Sequence, residues 1–106
     1  NFKEAVINAN EGDTMLSLKQ LTPVRLLKNN FFNEVQQAEQ RCAAIEELKQ
    51  LLGRGRAKKG MFEGNLQEGE LEIGQVSAVI KTIQPAADIV KEIWNEFELL
   101  LRQPVK

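Results

Sequence analysis

From Pro85 onward, apolar residues recur every three or four positions: Ala86, Ile89, Ile93, Phe97 and Leu100, with Trp94 and Leu101 flanking them. That spacing predicts a helix over residues 85–102 with one apolar stripe, and such a stripe must find a cover. A chain of 106 residues has room for a single modest core, so the cover must be built from few elements. The remaining segments are short. Phe2, Val6 and Ala9 predict a helix over residues 2–9, closed by the turn signal Asn10-Glu11-Gly12-Asp13. Thr14 to Leu18 reads as a brief strand or an extended connector. Thr22-Pro23 has the form of a helix start, and Val24, Leu27, Phe31 and Val35 fall on one stripe, which predicts a helix over 23–40. Ala43 to Leu52 continues in the same way until Gly53 and Gly55 interrupt it. Gly60, Gly64, Gly69 and Gly74 predict irregular backbone, and Gln75 to Lys81 a short apolar helix. The expected fold class is mainly α: a small helical domain with at most one short strand.

The absences narrow the chemistry. There is no His and no Tyr, and Cys42 is the single cysteine. Without His, neither a Ser-His nor a Cys-His nucleophile exists, and the commonest metal ligand is missing. Ser17 and Ser77, the only serines, have no base to activate them. No catalytic residue and no metal site is therefore expected. One cysteine makes no internal disulfide, so no oxidising compartment is required, and the expected location is cytoplasmic. The net charge of −1 argues against bulk attraction to nucleic acid or membrane. Apolar runs such as Leu99-Leu100-Leu101 fall far short of the about 20 residues that span a bilayer. Asn1-Phe2-Lys3-Glu4 is unlike a signal peptide, and the chain reads as a piece of something longer.

Four features invite a functional reading and carry a plainer one beside it. The basic run Arg54-Gly55-Arg56-Ala57-Lys58-Lys59 has the charge to grip a phosphate or a nucleic acid, or it is a solvated helix end. None of the six aromatics lies inside that run, so base stacking has little support. Glu63, Glu68, Glu70 and Glu72 form either a cation or acid–base site or a solvated acidic loop, and their spacing is not that of a calcium loop. Cys42, beside Ala43 and Ala44, reads as a small buried hydrophobe. Trp94 and Phe97 read as core. The two parts of the chain differ in sign: residues 1–60 carry 10 basic and 7 acidic groups, residues 61–106 carry 4 and 8.

The stretch GRAKKGMFEGNLQEGELEIGQVSAVI, residues 55–80, with the following Pro85 segment, resembles the C-terminal part of the FMN-dependent nitronate monooxygenases and the related enoyl-acyl-carrier-protein reductase II enzymes. Gly69, Gly74, Gln75 and Ile80 carry the register, with Glu63-Gly64 ahead of them; upstream, Pro23, Arg25 and Asn29 match a Pro-x-Arg-x-x-x-Asn element. The resemblance implies a (β/α)₈ barrel with FMN at the ends of its strands, closed by a helical insertion. The catalytic His and the phosphate-binding glycine loops of the family lie before the matched region. Residues 1–84 would be the helical cap segment, and 85–106 the terminal helix matching the last barrel helix. Glu72, Ile73, Gly74 and Gln75 would line the substrate side of the cleft, although relatives often have apolar residues where Glu72 and Ile73 stand. By this reading the chain holds no cofactor itself, FMN and NAD(P)H belonging to the whole enzyme. The reaction is then nitronate oxidation by O₂ or reduction of an enoyl thioester. The expected partners are the barrel portion of the same protein and, for the chain alone, a second copy in a dimer or swapped assembly. The competing reading is a stand-alone helical module that contacts nucleic acid or an acidic partner through Arg54–Lys59.

Overall fold

A computed structural model describes residues 1–103. The order is α1 (Phe2–Asn8), β1 (Thr14–Ser17), β2 (Val24–Leu27), α2 (Asn30–Gln40), α3 (Ile45–Leu52), α4 (Arg56–Met61), a 3-10 helix (Gln75–Val79) and α5 (Ala86–Arg102). Residues 104–106 of the expected terminal segment lie outside the described residues. The class is mainly α, as the periodicity predicts, but two strands are present instead of one.

The second strand replaces the first turn of the expected helix over 23–40. Val24–Leu27 pairs antiparallel with Thr14–Ser17, in the register Thr14 with Leu27 through Ser17 with Val24. Val24 and Leu27 happen to keep helical spacing, but Pro23 opens a strand here. The true helix start is Asn29. Its Oδ1 accepts from the Phe32 N–H at 2.8 Å, capping α2. Its Nδ2 donates to Leu66 O and to Gly69 O, both at 2.8 Å, fastening the glycine-rich loop to the same helix end. Helix α2 then buries Phe31, Phe32, Val35 and Ala38. Phe31, Phe32 and Val35 close the main core with Leu18 and Leu26, while Ala38 meets Ala43 and Leu48 in a smaller one.

Cys42 is exposed, which corrects the buried reading. It stands just past α2 with φ of 55°, in the left-handed region. Its N–H donates to Glu39 O at 3.1 Å and that of Ala43 to Ala38 O at 3.0 Å, the paired bonds of a Schellman ending. Ala43 and Ala38 supply the accompanying apolar contact. Position 42 is thus a glycine-type position filled by cysteine. It also divides α2 from α3, so the helix expected from Ala43 begins at Ile45.

The span from Gly60 to Gly74 is mostly irregular, as its glycines predict, but it is closely fitted. A Cβ placed on Gly69 would lie 2.2 Å from the Gly60 Cα, so two backbones cross where no side chain fits. By contrast, α5 buries none of its residues. Trp94 and Phe97 are 57% and 51% exposed, their rings 5.4 Å apart, which corrects the reading of both as core. The projecting helix raises the radius of gyration to 17.6 Å, against about 13 Å for a compact chain of this length. The accessible surface, 7803 Å², exceeds by about 1,800 Å² what a compact protein of this mass exposes.

Two substitutions test these local accounts in urea. Asn29→Ala leaves one donor and two acceptors without their partner and should cost about 3 kcal/mol. Asn29→Asp keeps the cap but loses both donors; a stability equal to wild type would show that the loop bonds contribute nothing. Cys42→Gly should stabilise by about 1 kcal/mol, since glycine adopts the left-handed position freely.

Candidate functional site

The four residues expected to line a cleft are contiguous with the outer edge of β2. The Leu27 N–H donates to Leu71 O at 2.9 Å, and Leu26 forms an isolated antiparallel bridge with Glu72. Along this step Leu71 enters the core, Glu70 is also buried, and Glu72 is exposed. Glu72 is exposed, Ile73 half-buried, and Gly74 and Gln75 exposed. Gly74 has open space where a Cβ would stand. Of the four, Gln75 lines a depression of about 330 Å³ that it shares with Ser77, Asn10, Gly12 and Thr14. That depression lies between the 3-10 helix and the turn after α1.

Glu70 overturns the solvated reading of the acidic loop at one position. Its side chain is buried, and burial first, then hydrogen bonding with and repulsion by Glu72, push its carboxyl up to about 7. Glu68 is half-buried and lies 3.8 Å from the Arg56 guanidinium, whereas Glu63 is exposed. Among the described residues no three metal-ligating side chains of the His, Cys, Asp and Glu kinds gather into a site. A period-two pattern, Glu-Leu-Glu, was the available sign that residues 70–72 are extended.

The basic run is divided by the fold. Arg56 turns inward: Nη1 donates to Glu68 O at 2.8 Å, Nη2 to Leu51 O at 3.1 Å and Nε to Leu52 O at 3.3 Å. Its guanidinium also stacks 4.6 Å from the centroid of the buried Phe31 ring. Arg56 therefore closes the carbonyl end of α3 and holds the acidic loop, while Arg54 and Lys58 face solvent. Only a planar fork satisfies three carbonyls and a ring face together. Arg56→Lys should lower stability by about 2 kcal/mol; an unchanged urea midpoint would contradict this role.

A second concavity, of about 360 Å³, is apolar. Phe2, Val6 and Ile7 of α1 face Ile80, Ile83 and Ile89 across it, and it runs into the uncovered stripe of α5. No helix among the described residues is long and apolar enough to cross a membrane.

Comparison with known proteins places this architecture. A family model described as nitronate monooxygenase matches residues 1–96. FabK from Thermotoga maritima is similar with a TM-score of 0.76 and 27% identity, over 94% of this chain and 32% of that one. A point variant of the same protein gives 0.70 and 24% identity, over 94% and 28%. The chain thus spans about a third of the length of these structural neighbours. No curated protein matches it.

Proposed function

The chain belongs to the nitronate monooxygenase family, and we propose that it forms the helical part of an FMN-dependent oxidoreductase that covers the flavin and substrate cleft. The observation that carries this reading is the uncovered face of α5. Ile89, Val90, Ile93, Trp94, Phe97, Leu100 and Leu101 are all exposed on a helix that no other element covers. A face that broad suits a helix laid against a sheet or against several helices at once, as the outer helices of a barrel are. The similarity to FabK over a third of that protein agrees with a missing cover of that size.

Within such an enzyme the flavin supplies hydride or electron transfer, which requires a pocket closed to water. This chain's residues would provide the closure. The Gln75 side chain, at the start of the 3-10 helix, offers an amide donor and acceptor toward a substrate's polar group. The depression beside it does not fit a whole FMN: no cationic side chain lines it, and Glu11 on its rim repels a phosphate. The proposal therefore places the phosphate site on the barrel portion of the whole enzyme. Whether the reaction is nitronate oxidation or enoyl thioester reduction follows from barrel residues.

The reading of the chain as a nucleic-acid module through Arg54–Lys59 is weakened, because Arg56 is held by Leu51, Leu52 and Glu68. Alone, the chain should associate through α5, as exposed apolar faces do.

The purified 106-residue chain should be colourless and should sediment as a dimer or larger assembly, with Phe97→Glu shifting it toward monomer. Joined to the barrel portion of FabK in place of the matching third, it should restore flavin binding. Stoichiometric flavin on the chain alone would overturn the proposal.

A further inference from the structure

Residues 70–72 are attached to β2 by few bonds, and the character of their outward face decides whether those bonds hold. Leu71 anchors the step in the core, and the buried Glu70 lies within hydrogen-bonding reach of the exposed Glu72. Glu70 is only 7% exposed, and among the described residues no basic side chain pairs with it. None of the cations on the elements packed nearby is paired with it. Arg56 of α4, whose carbonyl accepts the Glu70 N–H at 3.0 Å, directs its guanidinium to Leu51, Leu52 and Glu68. Arg25 of β2 donates to the Thr14 backbone and hydroxyl oxygens. Lys28, just after β2, and Lys59 of α4 form no ion pair. A buried carboxylate beside a second carboxylate, with no cation to offset it, is stable there only while a proton stands between the two.

We propose that Glu70 and Glu72 share one proton as a latch, and that losing it releases residues 70–74, with the Gln75 rim behind them, from the edge of β2. The latch is a property of this chain alone; only its consequence, a substrate-side rim that loosens as pH rises, rests on the reading of the chain as a cleft cover. The sign follows from where the proton is held more tightly. The closed form keeps its proton to a pH of about 7, whereas a solvated glutamate releases it near its ordinary value. Closure is therefore fully favoured below that ordinary value and progressively lost as pH rises through about 7. Glutamine at position 70 has the shape and donor of the protonated acid and should stay latched throughout.

Amide hydrogen exchange on the 106-residue chain, corrected for intrinsic rates, tests this directly. The Leu27 amide, which donates to Leu71 O, should open roughly fiftyfold more readily at pH 8 than at pH 5. The Ala43 amide, in the α2 ending, should not follow it. Glu70→Gln should abolish the rise at Leu27. Glu72→Gln removes the repulsion and offers an N–H to the ionised partner, so it should displace the rise to lower pH. A pH-independent Leu27 amide, an equal rise in Glu70→Gln, or a parallel rise at Ala43 would overturn the latch. So would a Glu72→Gln profile identical to wild type, a result still decisive if Glu70→Gln fails to fold. None of these outcomes depends on flavin, so they separate the latch from the proposed role of the chain.

Discussion

Asn29 holds the two halves of the folded body together. A primary amide offers two donors and an acceptor on one planar group, and here all are used: the acceptor on the first turn of α2, the donors on Leu66 and Gly69. The loop from Phe62 to Glu70 has little apolar surface to bury, so it cannot be fixed by hydrophobic contact. It is fixed by polar ties. The Phe31 N–H adds a bond to Gln67 O at 2.9 Å, and Arg56 reaches Glu68 from the far side. With the loop held, Leu71 enters the core and residues 70–72 align along β2. Without it, neither the buried carboxyl nor the Gln75 rim would have a defined position.

Long periodic segments were legible before any coordinates. The stripe from Ala86 to Leu100 predicts α5 to within a residue, and the stripe of Phe2 and Val6 predicts α1. The β2 strand was not legible, because Val24 and Leu27 keep helical spacing while Val24 and Leu26 keep strand spacing, and four residues do not decide between them. Asn29, rather than Thr22-Pro23, carried the start signal for α2, and Phe32 three residues on is where its acceptor acts. Cys42 was misread because composition speaks to burial, whereas its position is set by backbone geometry at a helix end. Arg56 and Glu70 show a limit of another kind. Each belongs to a run of like charges that sequence reads as a solvated face, and each is drawn inward by partners distant in sequence. The cleft residues Glu72 to Gln75 were named by resemblance, and of these Gln75 lines a concavity.

Helix α5 is the opposite case: its secondary structure is plain in the sequence, and the described residues leave its apolar face exposed. Interior spacing on a helix normally reports a partner element nearby. Here the spacing is kept, the nearest elements are α1 and the linker with Ile80 and Ile83, and most of the apolar face looks outward. The body of residues 1–79 has its own core; α5 has a surface made for another one. The proposed place of the chain in a larger flavoenzyme gives that surface a barrel as its counterpart.

The crossing of Gly60 and Gly69 has a consequence for how this segment tolerates changes in length. The two backbones touch with no room for a side chain, so residues 61–68 form a closed ring pinned at its neck. An insertion beside the exposed Phe62 and Glu63 can bulge into solvent and leave the neck intact. The same insertion among residues 65–69 would break the ties of Leu66, Gln67, Glu68 and Gly69 to Asn29, Phe31 and Arg56. Length is therefore free at the tip of the ring and fixed along its tied flank and at its neck.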